Sequence, residues 1–227
     1  MLVTYFGHSC FQVKTGGKTI LFDPYITDNP LAAAIDALSL NPDYIFISHA
    51  HNDHIADVLK IAKRSNAMVV ANWEIYLWAK RQGLENLHSM NIGGNWNFDF
   101  GKVKMVNAAH SSSFADGSYG GHPVGYYFEC EEGNFYYAGD TALHYDMKLL
   151  GKHLEIDFAF LPIGNNYTMG VEDALIASKY IKCDKVIGMH YDTEEDIKID
   201  HEKATAIFGY QDKKLILMKI GEETDIK

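Results

Sequence analysis

The chain holds little cysteine, little proline and little positive charge, and it is nowhere hydrophobic for long. Three Cys and five Pro occur among 227 residues. Cys10, Cys130 and Cys183 are odd in number, widely spaced and form no C-x-x-C pair, which argues for buried thiols in a reducing, cytoplasmic compartment. Lys and Arg number 20 against 30 Asp and Glu, for a net charge of -10. No segment gathers the cations into the stripe that a nucleic-acid backbone requires, so nucleic acid is not the expected partner. The longest apolar run, residues 31–40, is broken by Asp36 and falls well short of the ~20 residues of a membrane span. The first cation is Lys14, which leaves the N-terminal stretch without the positive region of a secretion signal.

What is present is the composition of a folded protein, 47% hydrophobic and 22% charged, close to the average for soluble domains. Short β-rich segments come first, at residues 2–6, 10–14 and 19–22, separated by Gly7 and by Gly16-Gly17, and read as an antiparallel meander. Strand and helix then alternate: strands at 44–47 and 67–71, helices at 55–64 and 73–82. The second half repeats this order, with strands at 102–108, 124–130 and 134–138, a hairpin turn at Glu132-Gly133, strands at 157–161 and 185–189, helices at 171–181 and 201–208, and a last strand at 214–219. No linker divides the halves. The expectation is one α/β domain spanning 1–227, in which two mixed sheets face each other and helices cover their outer sides, a four-layer αββα sandwich. The aromatic cluster Trp73, Tyr76 and Trp78 stands at helical spacing and is expected in core packing or in the contact of a homo-oligomer.

The chemistry collects at the ends of apolar runs. Ser48-His49-Ala50-His51-Asn52-Asp53-His54 places four metal-ligating side chains within six residues, after a strand and before a helix. His110, Asp140 and His190 each follow another apolar run, and functional groups at strand ends are how a rigid scaffold aims loops at one site. A single tetrahedral ion held by all four groups of the first motif would have no open position for water, so ligands shared between two ions fit catalysis better. One alternative for the motif is a polar capping loop with Asp53 as N-cap of the helix at 55. His8, in Gly7-His8-Ser9, is a second-rank candidate as acid, base or substrate contact. Asp23 is a candidate to orient a ligating imidazole. His88, His122, His144, His153 and His201 stand outside any ligand-like spacing.

The H-x-H-x-D-H run, the strand-end His110, the Gly139-Asp140-Thr141 turn and His190 together resemble the metallo-β-lactamase superfamily over essentially the whole chain. Gly7-His8-Ser9, Phe22-Asp23-Pro24, Pro162-Ile163-Gly164, Thr168-Met169-Gly170 and Met189-His190-Tyr191-Asp192 are similar to a branch of bacterial and archaeal metal-dependent hydrolases, akin to ascorbate-6-phosphate lactonases and N-acylethanolamine-forming phospholipases. The sequence departs from that branch at Asn165, where an acidic residue is common, and at Glu194-Glu195, where an aromatic–proline pair is common. The resemblance implies His49, His51 and His110 on one metal, Asp53, His54 and His190 on the other, and Asp140 as a bridge.

The function expected on these grounds is hydrolysis of a small-molecule ester, lactone or phosphoester by a hydroxide activated between two divalent ions, with Asp53, Asp140 and His8 as the catalytic residues. The His-rich set favours zinc, with manganese or iron as alternatives. The loop 110–121, with Ser111, Ser112 and Ser113, is expected to wall the pocket, with Thr168 opposite. Three rivals stand beside this reading. An RNA-processing nuclease of the same superfamily is disfavoured by the acidic charge. A di-iron redox protein is disfavoured because flavodiiron relatives typically carry Glu where His51 stands. A non-catalytic binding scaffold is disfavoured by the complete ligand set.

Overall fold

The structure is a computed structural model and describes residues 1–226. In chain order the strands of the first half are β1 (Leu2–Gly7), β2 (Cys10–Thr15), β3 (Lys18–Phe22), β4 (Tyr44–Phe46), β5 (Met68–Ala71) and β6 (Leu87–Ser89), with helices α1 (Asn52–Ile55), α2 (Val58–Ser65) and α3 (Trp73–Arg81). The second half holds β7 (Asn95–Phe98), β8 (Gly101–Asn107), β9 (Val124–Cys130), β10 (Gly133–Tyr137), α4 (Met147–His153), β11 (Phe158–Pro162), α5 (Val171–Tyr180), β12 (Lys185–Met189), α6 (His201–Gly209), β13 (Lys214–Ile216) and β14 (Glu223–Asp225).

These strands form two seven-stranded sheets, ordered β14-β1-β2-β3-β4-β5-β6 and β7-β8-β9-β10-β11-β12-β13. Each sheet has four antiparallel strands followed by three that run parallel to their inner neighbour. The antiparallel part is the meander, and the parallel part comes from the strand and helix alternation, because parallel neighbours need a crossover. The first half supplies only three strands to its antiparallel part. The fourth is β14, from the other end of the chain, which pairs with β1 through Leu2, Val3 and Thr4.

Side-chain alternation explains the layers. In β3 and β4, Ile20, Phe22, Tyr44 and Phe46 face the second sheet, where they meet Val103, Phe128, Phe135 and Phe160. Leu21 and Ile45 face the other way, onto Val58, Ile61 and Ala62 of α2 and Ile75 and Ala79 of α3. The second sheet is covered outside by α5 and α6 through Ala174, Ala177 and Phe208. The interior between the sheets is an aromatic stack: Phe128 lies 4.4 Å from Phe135, Phe22 4.5 Å from Tyr137, and Phe46 5.0 Å from Phe128. Burying one such ring contributes roughly 1.5–3 kcal/mol.

Three expectations change. The single helix at 55–64 is two helices, because the buried Asp57 between them accepts the backbone N–H groups of Ile26 and Thr27 and its own N–H donates to Pro24. The capping-loop reading of Asp53 gives way as well, since His51 is the residue before α1 and Asp53 sits in its first turn. The last strand ends at Ile216 rather than 219, and β14 follows it. No helix among the described residues is long and apolar enough to cross a membrane.

Candidate metal centre

β4, β8, β10 and β12 end at one edge of the sandwich, and each is followed within a few residues by an expected ligand: His49, His110, Asp140 and His190. His49 lies in the loop after β4, His51 is in extended backbone, and the helical turn of α1 then brings Asp53 and His54 round to the same centre. Gly139 lets β10 reach it. Its φ is +62°, and a Cβ there would stand 2.7 Å from Ser48 Cβ and 2.8 Å from the Val124 carbonyl, so only glycine brings Asp140 beside the first motif.

All seven expected ligands come together. His49, His51 and His110 offer nitrogens within 4.8 Å of one another, as do His8, Asp53, His54 and His190 with their ligand atoms, and His49, His54 and Asp140 form a third such set between them. Asp140 Oδ2 is the common point: it lies 3.0 Å from His190 Nε2, 3.3 Å from His54 Nε2, 3.6 Å from His110 Nε2 and 3.9 Å from His49 Nε2. Asp53 Oδ2 faces His54 Nε2 at 3.7 Å and His190 Nε2 at 3.8 Å.

The donors fit a cation. His49 Nε2 and His51 Nδ1 face each other 2.9 Å apart, a contact of two lone pairs unless a proton or an ion lies against them. His54 Nε2 and Asp140 Oδ1 are buried without a hydrogen-bond partner among the described residues, where an unsatisfied polar atom is costly.

Beneath two of the candidate ligands, His49 and His54, is a network that orients their rings. The buried Asp23 accepts at Oδ1 from the Ser48 N–H (2.7 Å), and at Oδ2 from the Ser48 hydroxyl (2.6 Å), from Tyr137 (2.8 Å) and from His54 Nδ1 (2.8 Å). Because the Ser48 proton is committed to Asp23, His49 Nδ1 donates to Ser48 Oγ at 2.9 Å. Both rings therefore turn Nε2 inward, the arrangement in which an outer partner orients a ligating imidazole.

Electrostatics follow from this crowding. Burial pulls the His49, His51 and His110 imidazoles below their ordinary value. Burial acts the same way on His54, but Asp140, Asp23 and Asp53 overcome it and hold its proton well above the usual range. Burial would raise the Asp140 carboxyl, yet His190 and His54 keep it well below the carboxylate range. Burial, reinforced by His190, lowers His8 to about 4.

His8 is beside the centre, with Nε2 3.0 Å from Asp53 Oδ2 and Nδ1 2.9 Å from Thr193 Oγ1. In the loop expected to wall the pocket, Ser111 Oγ is 3.4 Å from His51 Nε2. Ser112 instead accepts the Ala50 N–H at 3.2 Å and Ser113 bridges to Tyr119, so both hold the loop in place. Thr168 donates to the Met169 carbonyl. His88, His122, His144, His153 and His201 are outside the donor groups. Sequence reasoning passed over Ser48, Tyr137 and Thr193. Ser48 directly precedes His49 and Tyr137 leads into Gly139-Asp140, signals of position; Thr193 meets His8 only through the fold.

A double-sheet αββα sandwich with imidazoles and carboxylates gathered at one edge is the frame of the beta-lactamase superfamily, and the family model for a beta-lactamase superfamily domain matches residues 2–190. Within it, the chain belongs to the UPF0173 metal-dependent hydrolases. It is 53% identical to a member from Flavobacterium johnsoniae over 226 residues, covering 100% of each chain, and 50% identical to one from Christiangramia forsetii over 227 residues, again covering 100% of each. Among solved structures it is similar to a metallo hydrolase from the hyperthermophilic archaeon Ignicoccus hospitalis, with 34% identity, a TM-score of 0.89 and coverage of 100% of this chain and 99% of that one. An isothiocyanate hydrolase from Delia radicum gut bacteria shares the fold at 18% identity, a TM-score of 0.81 and coverage of 99% and 98%.

Proposed function

We propose that this hydrolase works with two divalent ions, zinc first and manganese or iron as alternatives, on a small molecule carrying an ester, lactone or phosphoester bond. The observation that carries the reading is Asp140 Oδ2, buried among four imidazole nitrogens and common to donors on both sides. His49, His51 and His110 would hold one ion, Asp53, His54 and His190 the other, and Asp140 both. When bound, such ions supply a water of lowered pKa and positive charge against the oxygens of the scissile bond.

The chain's own residues prepare that chemistry. Asp23 and Ser48 keep the rings of His49 and His54 turned with Nε2 inward. The shared carboxylate of Asp140, at 2% exposure, sits where bulk solvent barely reaches it. Asp53 has a side chain 38% exposed, and a carboxylate that solvent reaches could receive a proton from attacking water or return one to a leaving oxygen. We also take the chain to be one domain, with β14 closing the first sheet, and place it in the cytoplasm, where its three free thiols would stay reduced.

The test is a side-by-side assay of small lactones, carboxyl esters, phosphodiesters and tRNA precursors at matched metal loading. Turnover of a small substrate that His54→Ala abolishes is the expected result. Efficient RNA cleavage abolished by His54→Ala, with every small substrate untouched, would make the nuclease reading correct.

A further inference from the structure

We propose that His8 is a positioning residue for Asp53, that Thr193 sets its ring for that task, and that the pair thereby tunes the affinity of the ion Asp53 would hold. The inference rests on the ligand assignment proposed above. It gives His8 a different role from the acid, base or substrate contact expected from sequence.

The His8 ring is buried, at 3% exposure, and both of its nitrogens are engaged. A carboxylate only accepts hydrogen bonds, so Nε2 must carry the proton shared with Asp53 Oδ2 at 3.0 Å. Nδ1 lies 2.9 Å from Thr193 Oγ1, whose hydroxyl also faces the Tyr191 carbonyl at 3.5 Å, so both ring nitrogens have hydrogen-bond partners. With both nitrogens committed, the ring has no free site from which to exchange a proton with a substrate.

The donor is also held in direction. Gly7 and His8 both have positive φ, +102° and +55°, a conformation uncommon for a residue with a side chain. The turn is pinned through its carbonyl: His8 O accepts from the His190 N–H at 2.9 Å and from the Tyr5 hydroxyl at 3.3 Å. His190 is itself in the left-handed region, at φ +56°, with its ring 4.0 Å from that of His8. One turn thus ties β1, the loop after β12 and α1 together at the second donor group.

Asp53 needs such a hold. It stands on a helix of four residues with its side chain partly in solvent, and His8 is its one hydrogen-bonded partner among the described residues. The oxygen that His8 holds is the one facing His54 and His190. A carboxylate oxygen has two lone pairs, so one can take the His8 proton while the other stays directed at the donor group. Fixing the rotamer beforehand removes part of the ordering entropy that ion binding would otherwise cost.

The test uses the full chain with His8→Ala, His8→Gln and Thr193→Val, reading zinc stoichiometry by elemental analysis, zinc affinity by chelator competition and melting of the metal-free protein. Losing an outer partner of a ligand typically weakens metal binding 10–100-fold, so His8→Ala is expected to weaken one zinc by about that factor, with His8→Gln, whose amide N–H can reach the same oxygen, recovering to within about threefold. Thr193→Val, which frees the ring to rotate, falls between them. His8→Ala holding every zinc as tightly as wild type, or His8→Gln as impaired as His8→Ala, overturns the proposal. Should His8→Ala fail to fold, Thr193→Val decides: weakened zinc binding supports the proposal and unchanged binding overturns it. Wild-type protein that binds only one zinc contradicts the two-ion reading separately, and the variants are still scored on that ion.

Discussion

Replacing Asp140 with Asn keeps the shape of the side chain and removes the charge on which the two halves of the centre converge. Asp140 Oδ2 stands within 4 Å of four imidazole nitrogens, at 3.0, 3.3, 3.6 and 3.9 Å, in a site where the side chain is 2% exposed. An amide oxygen carries no net charge, and its NH2 group would turn a donor toward whatever cation lies there. Removing one partner of a buried charge pair costs about 3–5 kcal/mol. At about 1.4 kcal/mol per decade, that is a loss of roughly two to three and a half orders of magnitude in turnover or ion affinity. The assay compares Asp140→Asn with His88→Ala on any substrate the wild type hydrolyses, alongside circular dichroism of both. His88 is the control because its ring packs against Trp96 and Phe98 at 5.0 and 5.2 Å and lies outside the donor groups. The expected result is a folded Asp140→Asn protein with activity lost and a His88→Ala protein that stays active. Equal, modest activity in the two would refute the role given to Asp140.

Two structural predictions concern the frame of the site. Asp57→Asn should destabilise the chain by about 1–3 kcal/mol at neutral pH, since the carboxylate accepts from Ile26, Thr27 and Lys60. Burial would raise the Asp57 carboxyl, but those hydrogen bonds hold it below its ordinary value, so its contribution is complete above about pH 4 and is lost as pH falls through the folded value. Urea unfolding of both proteins at neutral and acid pH checks this, and a difference that grows on acidification contradicts it. Phe46→Ala, in the aromatic stack three residues before His49, should cost about 3–5 kcal/mol in thermal or urea melts, and a loss under 1 kcal/mol would show that the two sheets do not rely on that ring.

Most of this fold was legible because its strands are apolar runs that end in chemistry. The strands before His49, Asp140 and His190 are buried on both faces, and a continuous apolar run marks a buried strand as clearly as alternation marks a half-buried one. What escaped was polar and short. β14 is Glu-Thr-Asp, and only its pairing with β1 makes it a strand. β6 and β7 lie at the open ends of their sheets, where Leu87-His88-Ser89 and Asn95-Trp96-Asn97-Phe98 carry little burial to read. α4 is seven residues long with a glycine inside it, below the length at which helical periodicity is evident. In the site the candidate ligands were visible because His and Asp cluster there, and the structure brings them together. Their supports were not, because Ser48, Tyr137 and Thr193 are common residues whose roles come from contacts made across the fold.

The central claim is that this one cluster is built for two ions. Elemental analysis of the purified chain after gentle metal reconstitution tests it most directly, with folding monitored in the same sample. Seven candidate ligands, where a single catalytic ion needs about three, predict close to two transition-metal ions per chain. A stoichiometry below one with the fold intact would contradict the account.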